Sequence, residues 1–104
     1  MNIINLTPHN VNVITGNGVM ITYPKSNTVA RVSQTNTLIN INNGISFFKT
    51  VYGDVENLPN SSPDTLYIVS ALVKAQANRS DLISPADLVR DADGNIIGCK
   101  GFIM

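Results

Sequence analysis

Several kinds of chemistry are nearly missing from this chain. It carries one Cys, one His and no Trp among 104 residues. A single Cys rules out an internal disulfide. One His and one Cys fall short of the three or four ligands a zinc site wants. Charge is scarce too: 13% of residues are charged, seven basic and seven acidic, for a formal net charge of zero. Such a chain lacks the positive field that non-specific nucleic-acid binding needs. No apolar run approaches the ~18 residues of a membrane-spanning helix. The start, Met1-Asn2-Ile3-Ile4-Asn5, has no basic region and no long apolar stretch, so a secretion signal is not expected. The expectation is one soluble, cytosolic domain over residues 1–104, with no cofactor, nucleic acid or membrane as partner. A chain of this size buries roughly 65% of its unfolded surface, enough for a core without metal or disulfide.

What is abundant is asparagine, fourteen residues. Asn favours turns and left-handed backbone positions and is a poor helix former. With so little charge, Asn, Ser and Thr must supply much of the polar surface.

The first half reads as short strands. Ile3–Leu6 is one, stopped by Thr7-Pro8. Val11–Thr15 alternates with period two, and Val19–Tyr23 follows across Gly16-Asn17-Gly18, a hairpin signal. Val29–Ser33 is a third candidate. Thr37–Asn43 is ambiguous, and Ile45–Tyr52 is β-branched and aromatic, which favours strand. Asn57–Pro63 is the clearest loop. Leu66–Val69 is a continuous apolar run with the look of a buried strand. Residues 70–79 read as helix, with Ser70 as N-cap. Leu82-Ile83 is a short strand ended by Ser84-Pro85, and Pro85–Leu88 one turn of helix. Val89–Asp91 and Asn95–Cys99 frame Ala92-Asp93-Gly94 as a second hairpin. The sum predicts an α+β class: a small mixed sheet with an N-terminal hairpin, one main helix over about 70–79, and a C-terminal hairpin.

Six residues stand out as ligand-binding candidates: Asn5, Thr7, His9, Arg31, Ser70 and Arg79. His9 follows a strand end, a common place for a site, and imidazole can act as base or donor. Arg31 and Arg79 are two of only three arginines, the residue type for bidentate phosphate or carboxylate contacts. Ser70 sits where a strand passes into a helix. Each has a structural alternative: a turn histidine, an N-cap serine, a helix-end Arg79 paired with Asp81. No catalytic set is expected. Cys99 beside Ile96-Ile97 reads as a buried small hydrophobe, and Ile-Val-Ser-Ala around Ser70 lacks a nucleophile elbow.

Asn5-Leu6-Thr7-Pro8-His9, Pro63–Ser70, Arg79-Ser80-Asp81-Leu82 and Val89–Phe102, with its Ile-Ile-Gly-Cys, together resemble a family of small proteins from tailed phages and prophages. The likeness spans most of the chain but is thin from Thr22 to Glu56. It implies a phage accessory protein, and by analogy of class a counter-defence one. The leading expectation is a non-enzymatic homo-oligomer that sequesters a nucleotide-derived immune signal, a cyclic nucleotide or ADP-ribose derivative. Asn5 would read a ribose or base edge, Thr7, His9 and Ser70 would donate, and Arg31 and Arg79 would clamp phosphate. The alternative is an inhibitor of a host defence protein, or a structural accessory, working by protein–protein contact. A small nucleotide-processing enzyme with His9 as base is a lesser alternative. A sequestering protein needs His9 and one of these arginines in one cavity. A protein binder needs an exposed apolar or one-signed patch.

Overall fold

The computed structural model describes all residues, 1–104. The β-branched runs pair into eight strands: β1 (Asn2–Asn5), β2 (Val11–Ile14), β3 (Met20–Tyr23), β4 (Arg31–Asn42), β5 (Ile45–Glu56), β6 (Thr65–Ile68), β7 (Leu82–Arg90) and β8 (Ile96–Ile103). One helix, α1 (Ala71–Ala77), lies between β6 and β7. Six strands form one sheet in the order β1-β6-β7-β8-β2-β3, and β4 pairs only with β5. The expected α+β class is therefore corrected. The protein is mostly β, its larger sheet curls into a nearly closed barrel, and its helix is short. The sequence suggests one main helix over about 70–79, whereas the helix that forms has seven residues, too few for a layer, and packs through Val73 against the Leu6, Tyr67 and Val69 side of the sheet.

Closure is made by a loop. Asn5 bridges to Lys25, the Ser26 N–H donates to the Asn5 carbonyl at 3.2 Å, and the Ala30 N–H donates to the Leu6 carbonyl at 3.0 Å. The edge of β1 is thus covered by residues 25–30 where a closing strand would lie.

The continuous apolar run at Leu66–Val69 earns its burial on both faces. β6 runs parallel to β1 on one side and to β7 on the other. Tyr67 and Val69 join Leu6, Ala30, Leu82 and Val73 of the helix in one buried cluster. Ile68 points the other way and joins Val11, Val13, Ile83 and Cys99. The helix starts at Ser70, whose hydroxyl oxygen accepts the Val73 N–H at 3.2 Å, and ends at Asn78 in the left-handed region, φ 52°. Both are the roles these residue types favour at helix ends.

The reading of Ser84–Leu88 is also corrected. β7 runs unbroken from Leu82 to Arg90, and no helical turn forms there. Its pairing with β6 stops at Ile83, and its pairing with β8 starts at Ser84. Pro85 therefore sits where one flank of the strand has lost its neighbour and no donor is needed there.

The ambiguous stretch resolves as strand over Thr37–Asn42, with Asn43 in the turn. β4 and β5, twelve residues each, meet at Asn43-Gly44, with φ of 54° and 78°. Two positive φ values in a two-residue loop are the hairpin turn Asn-Gly favours. At ~3.4 Å per residue this hairpin is about 40 Å long. It projects as an arm. The radius of gyration is 16.9 Å and the longest extent 55 Å, against about 13 Å for the radius of a compact chain of this length. Only the base of the arm is anchored, through Val55, with Leu58 just beyond it, against the helix-side core.

Candidate functional site

The concave feature of the body is a cavity of about 380 Å³. It opens where the β1–β2 loop, the entry to α1, and strands β7, β8 and β2 converge. Val11, Val69, Leu88 and Cys99 give it apolar walls, and Thr7, His9 and Ser70 stand among its polar lining. The size suits a small ligand. The lining includes no Arg, Lys, Asp or Glu.

The loop that carries His9 is built by Asn5. Asn5 is buried, and its amide nitrogen donates to the carbonyls of His9 at 2.8 Å and Tyr23 at 2.9 Å. Its amide oxygen accepts the Thr7 N–H at 2.9 Å and faces the Thr7 hydroxyl at 2.7 Å. Every polar atom of the side chain is thereby used in fixing the turn, an Asx-type turn opened by Asn-x-Thr. Thr7 Oγ1 also lies 3.0 Å from the His9 carbonyl, so its single proton is engaged within the loop either way. The His9 imidazole is left exposed at the rim.

Of the six expected site residues, Thr7, His9 and Ser70 gather at the cavity. Asn5 lies beneath and holds the loop. Arg31 and Arg79 lie elsewhere. Arg31 opens β4 at the base of the arm, opposite Glu56. Arg79 forms a two-pronged pair with Asp81, Nε to Oδ1 at 2.9 Å and Nη2 to Oδ2 at 2.6 Å, and donates from Nη1 to the Pro59 carbonyl at 2.7 Å. Its guanidinium lies 5.9 Å from the Tyr67 ring centre, and Tyr67 in turn donates to the Asn60 carbonyl. Ser61 donates to Asp81 at 3.1 Å. This network fastens the loop Asn57–Pro63 to the end of the helix. The Arg79 N–H donors hold the Asp81 carboxyl below the usual carboxylate range, and the same bond raises Arg79 further. Arg79 is thus occupied structurally.

The chemistry at the cavity is limited. The Cys99 thiol is buried and lies 3.5 Å from the Asn12 carbonyl, as a weak donor. Ser70 spends its oxygen on the helix cap. What the cavity offers is one imidazole, a few hydroxyl and amide groups, and an apolar floor.

The surface that the sequence reading did not single out is the arm. Along its two strands every residue is exposed apart from half-buried Val32 and Val55. Leu38, Ile39, Ile41, Ile45, Phe47, Phe48, Val51 and Tyr52 are all exposed large hydrophobics. The signal was present as Asn43-Gly44 between two β-prone runs.

Comparisons with protein-family models, curated proteins and solved structures found no match. No helix is long and apolar enough to cross a membrane.

Proposed function

We propose that this is a non-catalytic accessory protein of a tailed phage, acting in the host cytoplasm by protein–protein association through its hairpin arm. The observation that supports the reading is the arm itself, a projection with eight exposed large apolar side chains and no buried residue. Monomeric proteins rarely expose so contiguous an apolar patch without using it. Of the two discriminating features, the apolar patch is present, while Arg31 and Arg79 are absent from the cavity lining.

The cavity supports a second reading, capture of a nucleotide-derived signal, because Thr7, His9 and Ser70 converge there. A thermal-shift series with cyclic dinucleotides, cyclic trinucleotides and ADP-ribose derivatives separates the two. Ligand at a hundred times its dissociation constant adds about 2.7 kcal/mol, on the order of 10 °C for this size. Protein–protein association through the arm expects no shift from any of them. A shift of that size, lost in His9→Ala, would displace it in favour of sequestration.

A further inference from the structure

The faces of the arm follow from its register. Residues directly opposite share a face, and successive residues alternate. Leu38 pairs with Phe48, Gln34 with Tyr52 and Ile41 with Ser46, so Leu38, Ile41, Phe48 and Tyr52 lie on one face. Asn42 pairs with Ile45, Asn40 with Phe47 and Thr35 with Val51, so Ile45, Phe47 and Val51 lie on the other. A bulge at Ile39 keeps β4 in step across the switch from Leu38 to Asn40. The arm is thus apolar on both sides, with two different sets of residues.

We propose that the arm packs between the arms of two further copies of this chain, one face of each arm against the opposite face of the next. This rests on the reading of the arm as the association surface and names its occupant.

Charge points to a copy. Between Val32 and Gly53 the only charged residue is Lys49, and the whole chain has net charge zero. The arm offers nothing for a strongly charged partner, and a second copy brings no repulsion. Lys49 lies on the second face, opposite Thr37, where its stem covers apolar surface while the ammonium reaches water.

Area is sufficient. The seven side chains that define the faces are 40% to 60% exposed. With roughly 200 Å² for an aromatic side chain and less for Leu, Ile and Val, one face meeting the other brings together up to about 700 Å² of apolar surface. Interfaces are a little over half apolar, so such a contact buries up to about 1,200 Å² in all, where stable association begins. Each chain in a series makes two such contacts.

The inequality of the faces lets two symmetries be told apart. A two-fold dimer uses the same patch on both partners and leaves the other face in water. A head-to-tail contact uses both faces and continues until it closes into a ring or extends as a filament.

Phe47 and Phe48 are neighbours on opposite faces, so two substitutions test the arrangement. Sedimentation equilibrium of the wild-type chain should give masses above twice 11.2 kDa. Phe47→Asp alone and Phe48→Asp alone should each stop growth at the blocked face and run as monomers. Mixed in equal amounts, they should form a heterodimer, because one keeps the first face and the other keeps the second. Circular dichroism should show both folded, since the arm lies outside the core. A wild-type monomer at millimolar concentration overturns the inference. So does a dimer sensitive to Phe48→Asp, untouched by Phe47→Asp and giving no heterodimer on mixing, since that is two-fold packing. Association through the arm falls separately, if the double variant supports phage growth as well as wild type does.

Discussion

The barrel body and the arm are made of the same kinds of residue, yet they use them oppositely. β6 has four residues, of which three are buried and one half-buried. β5 has twelve, none buried, although it holds two Phe, a Tyr, two Val and an Ile. The difference is in the neighbours. β6 lies between two strands, with the helix-side core on one face and the barrel interior on the other. β5 has one neighbour, β4, and beyond its base at Val55 it has open space on both faces. Strand propensity describes fitness for a pleated surface, and burial is conferred by what is stacked above and below it. An isolated two-stranded hairpin is marginal in water, so this one draws its support from its anchored base.

The contrast can be broken or sharpened by substitution. Leu82→Ala in the body should cost about 2–5 kcal/mol, the usual range for emptying a fully buried Leu, whereas Ile41→Ala in the arm should stay within about 0.5 kcal/mol. Urea unfolding of the dilute protein checks both. Similar costs at the two positions would mean that the arm is packed against the body.

Asn5→Ala should come next. It strips partners from the His9 and Tyr23 carbonyls and from the Thr7 N–H at once, and removing one partner of a buried hydrogen bond costs about 1–3 kcal/mol. Amide exchange should report the loss as weakened protection confined to the β1–β2 loop and the end of β3.

A smaller effect than at Leu82 or Asn5 concerns Asp81, whose pair with Arg79 is partly exposed. Asp81→Asn should cost about 1–2 kcal/mol at neutral pH, between the exposed and buried limits. Its carboxyl is held below the usual range in the folded chain. The stability it adds is therefore full above the ordinary carboxylate pKa and is lost as pH falls through the lowered, folded value. Denaturation midpoints followed downward from neutral pH should fall less steeply in Asp81→Asn than in wild type. Equal slopes would place the acid sensitivity elsewhere.

Much of the body could be read from sequence because its signals are local. Gly16-Asn17-Gly18 and Asp93-Gly94 mark turns, Ser70 caps a helix, and Leu66–Val69 is apolar enough to be buried on both faces. Fold class is less legible, because it depends on proportion. Residues 70–79 show helical spacing, but spacing does not tell how little of the chain's structure that helix makes up. Pro85 suggests a break because Pro usually is one, and its tolerance here depends on β7 losing a neighbour at that point. In the site, Thr7, His9 and Ser70 come together because strand ends on one side of a sheet cluster. The pairing of helix-end Arg79 with Asp81, two residues on, is legible locally and it forms, whereas the bond from Arg79 to the Pro59 carbonyl and the place of Arg31 opposite Glu56 depend on segments that meet only in the fold. The arm was hidden by its asparagines, which blurred the alternation along Thr37–Asn43.

The Asn43-Gly44 hairpin also bears on how quickly the chain can find its fold. β1 must pair with β6, about sixty residues away, before the main core can form. A hairpin nucleated at a two-residue turn closes on a scale of microseconds and needs no distant contact. Once closed, it removes about twenty-five residues, Arg31–Glu56, from the tether between the two strands. The remaining closure entropy falls by roughly 0.5 kcal/mol. The segment that adds least to the finished core thus shortens the search that builds it.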